Sequence, residues 1–225
     1  MGRLAAEVIR VALRSAHKVV PKLTKYFKFM DLHLFIPYGV FNPVYTLSTA
    51  LILKHIKPYG RVLDLGCGSG VIAIYVARNF RVREVIAYDV SRKALATSRI
   101  NARLNNVEDR IVFVSSRDEL LRFTELDYVV TNPPYLKLEP KDELDLNWCG
   151  GADLGLMKKE IFRLGCGLLK YGGRLVTATS SATGVGYVLS YLRCLGMKPR
   201  IVALARTPLD TIYLVHAVKV LRSLT

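Results

Sequence analysis

Asn132-Pro133-Pro134-Tyr135 joins residues whose combined chemistry is narrow. The first proline restricts Asn132 to an extended conformation, and two prolines in succession stiffen the loop. Asn132 then offers a side-chain carbonyl, and Pro133 a backbone carbonyl with no N–H close by. Two such acceptors suit both hydrogens of an –NH2 group, while Tyr135 offers a ring face for a planar amide or base. A nitrogen on a planar group is a poor nucleophile because its lone pair is delocalised. Holding both of its N–H bonds supplies positioning, and the same acceptors stabilise positive charge developing on it.

A second constellation is Val62-Leu63-Asp64-Leu65-Gly66-Cys67-Gly68-Ser69-Gly70. An apolar strand runs into three alternate glycines, and a helix follows. Side chains at Gly66 or Gly68 would block a ligand from the backbone, and Gly70 allows close packing at the turn. Asp89, 19 residues after Gly70, closes the next strand. An acid there accepts hydrogen bonds from both ribose hydroxyls of a nucleoside. Asp64 either orients the loop or meets an ammonium group of the ligand. The spacing is not the G-x-G-x-x-G of pyrophosphate binders, which disfavours NAD.

Both loops need a scaffold that brings strand ends together. Apolar runs and turn residues predict strands over 61–65, 84–89, 110–115, 127–131, 174–179, 199–205 and 211–218. Helices are expected over 70–79, 91–105 (capped by Ser91), 118–123, 153–169 and 183–196, with Gly172-Gly173 as a turn. This alternation demands a mainly parallel α/β sheet covered on both faces, and the last two strands form an antiparallel hairpin.

The chain has 225 residues, 51% hydrophobic and 23% charged, which suits one globular α/β domain and excludes a disordered chain. Lys and Arg number 33 against 18 Asp and Glu, so the formal charge of +15 favours polyanionic partners such as RNA or a ribosomal complex. Four scattered cysteines without a C-x-x-C pair, and four scattered histidines, predict no metal site. Charges interrupt every apolar stretch, giving an expectation of a soluble, cytoplasmic protein without membrane contact. Residues 1–35 read as a basic amphipathic extension and 36–225 as the catalytic domain. Arg3, Arg10, Arg14, Lys18, Lys22, Lys25 and Lys28 lie among apolar residues at helical spacing. That helix reads as a targeting peptide, as an RNA- or substrate-docking helix, or as a helix laid on the domain with its basic side in water. Residues 136–147, with Glu139, Asp142, Glu143 and Asp145 beside Lys137 and Lys141, form a charged loop that gates the site, binds substrate or is plain surface.

VLDLGCGSG followed by AYD resembles the class I S-adenosylmethionine-dependent methyltransferases. That resemblance implies a seven-stranded Rossmann-like sheet with the last strand antiparallel. It implies S-adenosyl-L-methionine as cofactor, held by Asp64, Gly66, Gly68, Gly70 and Asp89. Ser116 or Asp118 would meet the adenine amine, and Asn132 would also border the cofactor. NPPY resembles the signature of methyltransferases acting on planar nitrogens. Among these the chain is similar to the HemK group over roughly residues 36–220, including Val40-Phe41-Asn42-Pro43 and the stretch from Trp148 to Gly155. The group methylates the glutamine of the Gly-Gly-Gln motif in peptide release factors. The resemblance implies Asn132, Pro133 and Tyr135 as catalytic residues, and Phe41, Pro43, Pro134 and Tyr135 as substrate-binding residues. It also implies a possible small zinc-binding activator protein. The chain departs from that group after Val-Tyr-x-Pro, where it has Pro43-Val44-Tyr45-Thr46-Leu47 in place of acids. The alternative is an RNA methyltransferase acting on the exocyclic amine of adenine or guanine in rRNA or tRNA.

Overall fold

Short apolar strands separated by amphipathic helices can bury both faces only as a wound sheet, and the chain forms one. The computed structural model describes residues 2–221. A long helix α1 (Gly2–Leu23) and a hairpin of β1 (Tyr26–Phe29) and β2 (Leu32–Phe35) precede a 3-10 turn, Pro43–Tyr45, and α2 (Leu47–His55). The sheet region then runs β3 (Arg61–Leu65), α3 (Val71–Asn79), β4 (Glu84–Tyr88), α4 (Arg92–Leu104), β5 (Ile111–Val114), α5 (Arg117–Leu120) and β6 (Leu126–Thr131). A π-helical segment, Leu156–Arg163, continues as α6 (Leu164–Leu168), followed by β7 (Leu169–Ser180), α7 (Val185–Cys194), β8 (Met197–Arg206) and β9 (Thr211–Lys219).

The seven-stranded sheet has the order β5-β4-β3-β6-β7-β9-β8. Strands β3 to β7 pair in parallel, and β9 is antiparallel to both of its neighbours. Successive strands leave β3 first to one side and then to the other. The crevice beyond the ends of β3 and β6 is therefore the topological switch point, and both candidate loops begin there. One face packs Ile52, Leu53, Ile74 and Val76 from α2 and α3, and the other packs Phe162, Leu168, Val188 and Leu192 from the later helices. Ser91 caps α4 as expected, its Oγ accepting from Ala94 N at 3.2 Å. No helix among the described residues is long and apolar enough to cross a membrane.

Three expectations need correction. Gly172 and Gly173 lie inside β7, not in a turn before it. The helix expected over 153–169 starts as a π-helix and ends one residue earlier, at Leu168. The helix α1 is laid on the domain, but not with its whole basic side in water. Arg10 is buried and Arg14 reaches Asp142 and Asp145, while Leu4, Val8, Val11, Val19 and Leu23 are exposed. The two arginines instead face acids of the protein, the buried Asp145 for both and the exposed Asp142 for Arg14.

Candidate functional site

Each glycine after β3 has positive φ: +76° at Gly66, +55° at Gly68 and +81° at Gly70. Gly66 N and Cys67 N both donate to Tyr88 O at 2.9 Å, which binds the loop to the end of β4. A Cβ on Gly70 would sit 2.1 Å from Ser98 Oγ, so this glycine lets α4 pack against the turn. A Cβ on Gly66 or Gly68 would meet nothing nearer than 3.9 Å, so the space above them is open.

Two acids flank this cradle. Asp89 accepts from Gly68 N through Oδ2 and from Ser91 N through Oδ1, both at 2.9 Å, and each oxygen retains a second lone pair. Burial raises its pKa against those two hydrogen bonds. Asp64 Oδ2 accepts from Ala73 N at 2.9 Å in the first turn of α3, while its buried Oδ1 has no partner. Burial pushes the Asp64 carboxyl up to about 7. Ser116 caps α5, its Oγ accepting from Glu119 N at 3.1 Å, and like Asp118 it is exposed.

Asn132 leaves the end of β6 toward α2. Its Nδ2 donates to Ser48 Oγ and to Thr49 Oγ1, each at 3.0 Å, while its buried Oδ1 has no partner. Burial pushes the Tyr135 hydroxyl up to about 12, against a smaller lowering by the Ser48 hydroxyl. The Tyr135 carbonyl is held by the Thr183 hydroxyl. No backbone hydrogen bond falls on the Pro133 carbonyl among the described residues.

Asn132, Pro133 and Tyr135 form one wall of a cavity of about 290 Å³. Ile9, Ala12 and Leu13 of α1 also line it, together with Phe41, Tyr45, Trp148 and, from the β8–β9 loop, Asp210. Phe41 also lies beside Gly68, its Cβ 3.9 Å from where a side chain there would begin, so the cavity adjoins the glycine cradle. Pro43 is buried in the 3-10 turn, and Pro134 is half-buried with its carbonyl facing Gly150; neither lines the cavity. His17 fastens this wall, donating through Nδ1 to Leu13 O at 2.8 Å and accepting from Asn42 N at Nε2 (3.0 Å). Its ring also meets Phe41, Tyr45 and Trp148. Ser48, Thr49, His17 and Asp210 were not anticipated. Only their long-range partners mark them, and those are invisible in local sequence.

The methyltransferase small domain family matches residues 37–149 of this chain, half of its length. The release factor glutamine methyltransferase of Streptococcus pneumoniae is 31% identical over 137 residues, 59% of this chain and 48% of that protein. The chain thus spans about half the length of that relative. A Methanocaldococcus jannaschii protein, provisionally named a protein N5-glutamine methyltransferase, is 32% identical over 178 residues, 76% of this chain and 88% of that one. The ribosomal RNA small subunit methyltransferase C of Pseudomonas entomophila is 36% identical over 90 residues, 39% of this chain and 26% of that one. Among solved structures, the E. cuniculi Mtq2–Trm112 complex, responsible for methylation of the eRF1 translation termination factor, has the same fold. Its TM-score is 0.54, with 24% identity over 80% of this chain and 99% of that one. The chain belongs to the methyltransferase small domain family.

Proposed function

We propose that the chain transfers a methyl group from S-adenosylmethionine to the side-chain amide nitrogen of a glutamine in a peptide release factor. The observation that carries this reading is Asn132, whose amide nitrogen is tied to two hydroxyls so that its carbonyl oxygen is left bare beside the cavity. The residues of the glycine loop fit the cofactor. The space above Gly66 and Gly68 is open, Asp89 keeps lone pairs for ribose hydroxyls, and the orphaned Asp64 Oδ1 suits an ammonium group. When bound, S-adenosylmethionine supplies an electrophilic methyl on a sulfonium.

Asn132 Oδ1 and the Pro133 carbonyl accept the two N–H groups of the acceptor, and the Tyr135 ring covers its plane. The nitrogen forms the new N–C bond as the S–C bond breaks toward sulfur, and its surplus proton leaves to water. The two acceptors stabilise the positive charge on nitrogen. Tyr135, held near 12, stays neutral and takes no proton. The glutamine acceptor is supported by the similarity to glutamine methyltransferases over 88% of the M. jannaschii protein. A small activator partner is supported by the complex formed by the E. cuniculi neighbour.

An exocyclic amine of RNA is the second reading, supported by the +15 charge and by the ribosomal RNA methyltransferase relative. Two of the N-terminal cations that favoured it, Arg10 and Arg14, are engaged with the protein's own acids. The test is transfer of labelled methyl from S-adenosylmethionine to release factor and to total RNA in parallel, with Asn132→Ala as control. Label on the Gly-Gly-Gln glutamine, lost by more than about a hundredfold in the variant, is expected. Label on RNA alone would replace this reading with the second.

A further inference from the structure

A second cavity, of about 220 Å³, lies away from the glycine cradle and NPPY and is lined by His55, Lys57, Arg174, Arg200, Val202 and His216. It sits on the α2 side of the sheet. Arg174 is level with Tyr128 and therefore near the starts of the parallel strands, whereas both candidate loops leave their ends. Arg200 and His216 stand directly opposite each other on β8 and β9, and Arg174 is diagonal to His216 across β7 and β9. His55 and Lys57 come from the end of α2 and the residues just after it.

No carboxylate lines this space, and among the described residues Lys57, Arg174 and Arg200 form no salt bridge. The His216 ring is only 7% exposed and its Nε2 has no hydrogen-bond partner. Three cations drawn around one hollow repel one another, and a buried imidazole nitrogen without a partner costs free energy. An anion in the hollow relieves both. Guanidinium forks match the paired oxygens of a phosphoryl group.

We propose that this cavity binds a tetrahedral oxyanion of the phosphoryl class, held by Arg174, Arg200 and Lys57 with His216 Nε2 as a further donor. The site is independent of which nitrogen receives the methyl. The same chemistry is offered by inorganic phosphate and by a backbone phosphate of RNA.

The experiment titrates the full chain with inorganic phosphate, and separately with a short single-stranded RNA, while following the His216 ring signals by NMR. Arg200 is exposed on the edge strand, so Arg200→Gln leaves the core intact, and Arg193→Gln on α7 removes the same charge elsewhere. Saturable movement of the His216 signals is expected, weakened about tenfold in Arg200→Gln and unchanged in Arg193→Gln. RNA that moves the same signals and is displaced by phosphate identifies a backbone phosphate as the ligand; RNA without effect identifies the free anion. His216 signals indifferent to both ligands, or equal weakening in the two variants, would overturn the proposal.

Discussion

Asn132 owes its orientation to a helix more than 80 residues earlier in the chain. Ser48 and Thr49 in the first turn of α2 hold its Nδ2, and Ser48 also shares a hydrogen bond with Thr46 Oγ1. Removing both hydroxyls with Ser48→Ala and Thr49→Val frees the amide to rotate while its atoms remain. The expected result is a fall in kcat of roughly tenfold to a hundredfold, for two neutral hydrogen bonds at about 0.5–1.5 kcal/mol each, with unchanged S-adenosylmethionine affinity. Single-turnover transfer and calorimetry separate the two quantities, and an unaltered kcat would show that the amide needs no support. Asp64, Gly66, Gly68 and Asp89 could be singled out from sequence because glycine geometry and strand-end acids act over a few residues. Ser48 and Thr49 could not, since two hydroxyls at the head of an apolar helix look like any first turn.

The helix α1 shows the same limit at a larger scale. Its amphipathic spacing predicts a helix, but which side faces inward depends on acids about 130 residues later. Asp145 is fully buried and paired with Arg14, and Arg10 lies 3.9 Å away. Arg14 also holds the carboxyl of Asp142 down at about 2. Ile9, Ala12 and Leu13 of the same helix line the cavity beside Asn132, so these ion pairs tether a helix that borders it. Arg14→Ala strands a buried carboxylate, a loss of at most about 3–5 kcal/mol, partly offset by Arg10. The variant should show a lower urea midpoint and early proteolysis within residues 2–23. Adding Asp145→Asn removes the stranded charge and should recover much of the loss. Without that recovery, α1 would be held by its apolar contacts and not by charge.

Across the whole molecule, two buried groups respond to acid in opposite directions. Burial, then Arg174, Arg200 and His55, lowers His216 from 6.5 to about 4, and burial also lowers His17. Below pH 6.5 the unfolded chain therefore takes up protons that the folded histidines refuse, and this contribution to stability is lost as pH falls through 4. Asp64 has the other sign, because burial raises it from 3.8 to about 7. Its contribution is complete below pH 3.8 and is lost as pH rises through 7. At about 1.36 kcal/mol per unit, His216 contributes roughly 3 kcal/mol and Asp64 roughly 4 kcal/mol. The two oppose each other between pH 4 and 6.5, with His17 adding to the first and Asp89, also raised by burial, to the second. Substitution separates them. His216→Gln should gain stability on acidification, and Asp64→Asn, which still accepts from Ala73 N, should lose it. Urea midpoints from pH 4 to 8, in buffers free of phosphate and sulfate so that the cationic cavity keeps His216 neutral, give the two slopes. Parallel curves for both variants and the wild type would mean that neither group titrates across this window.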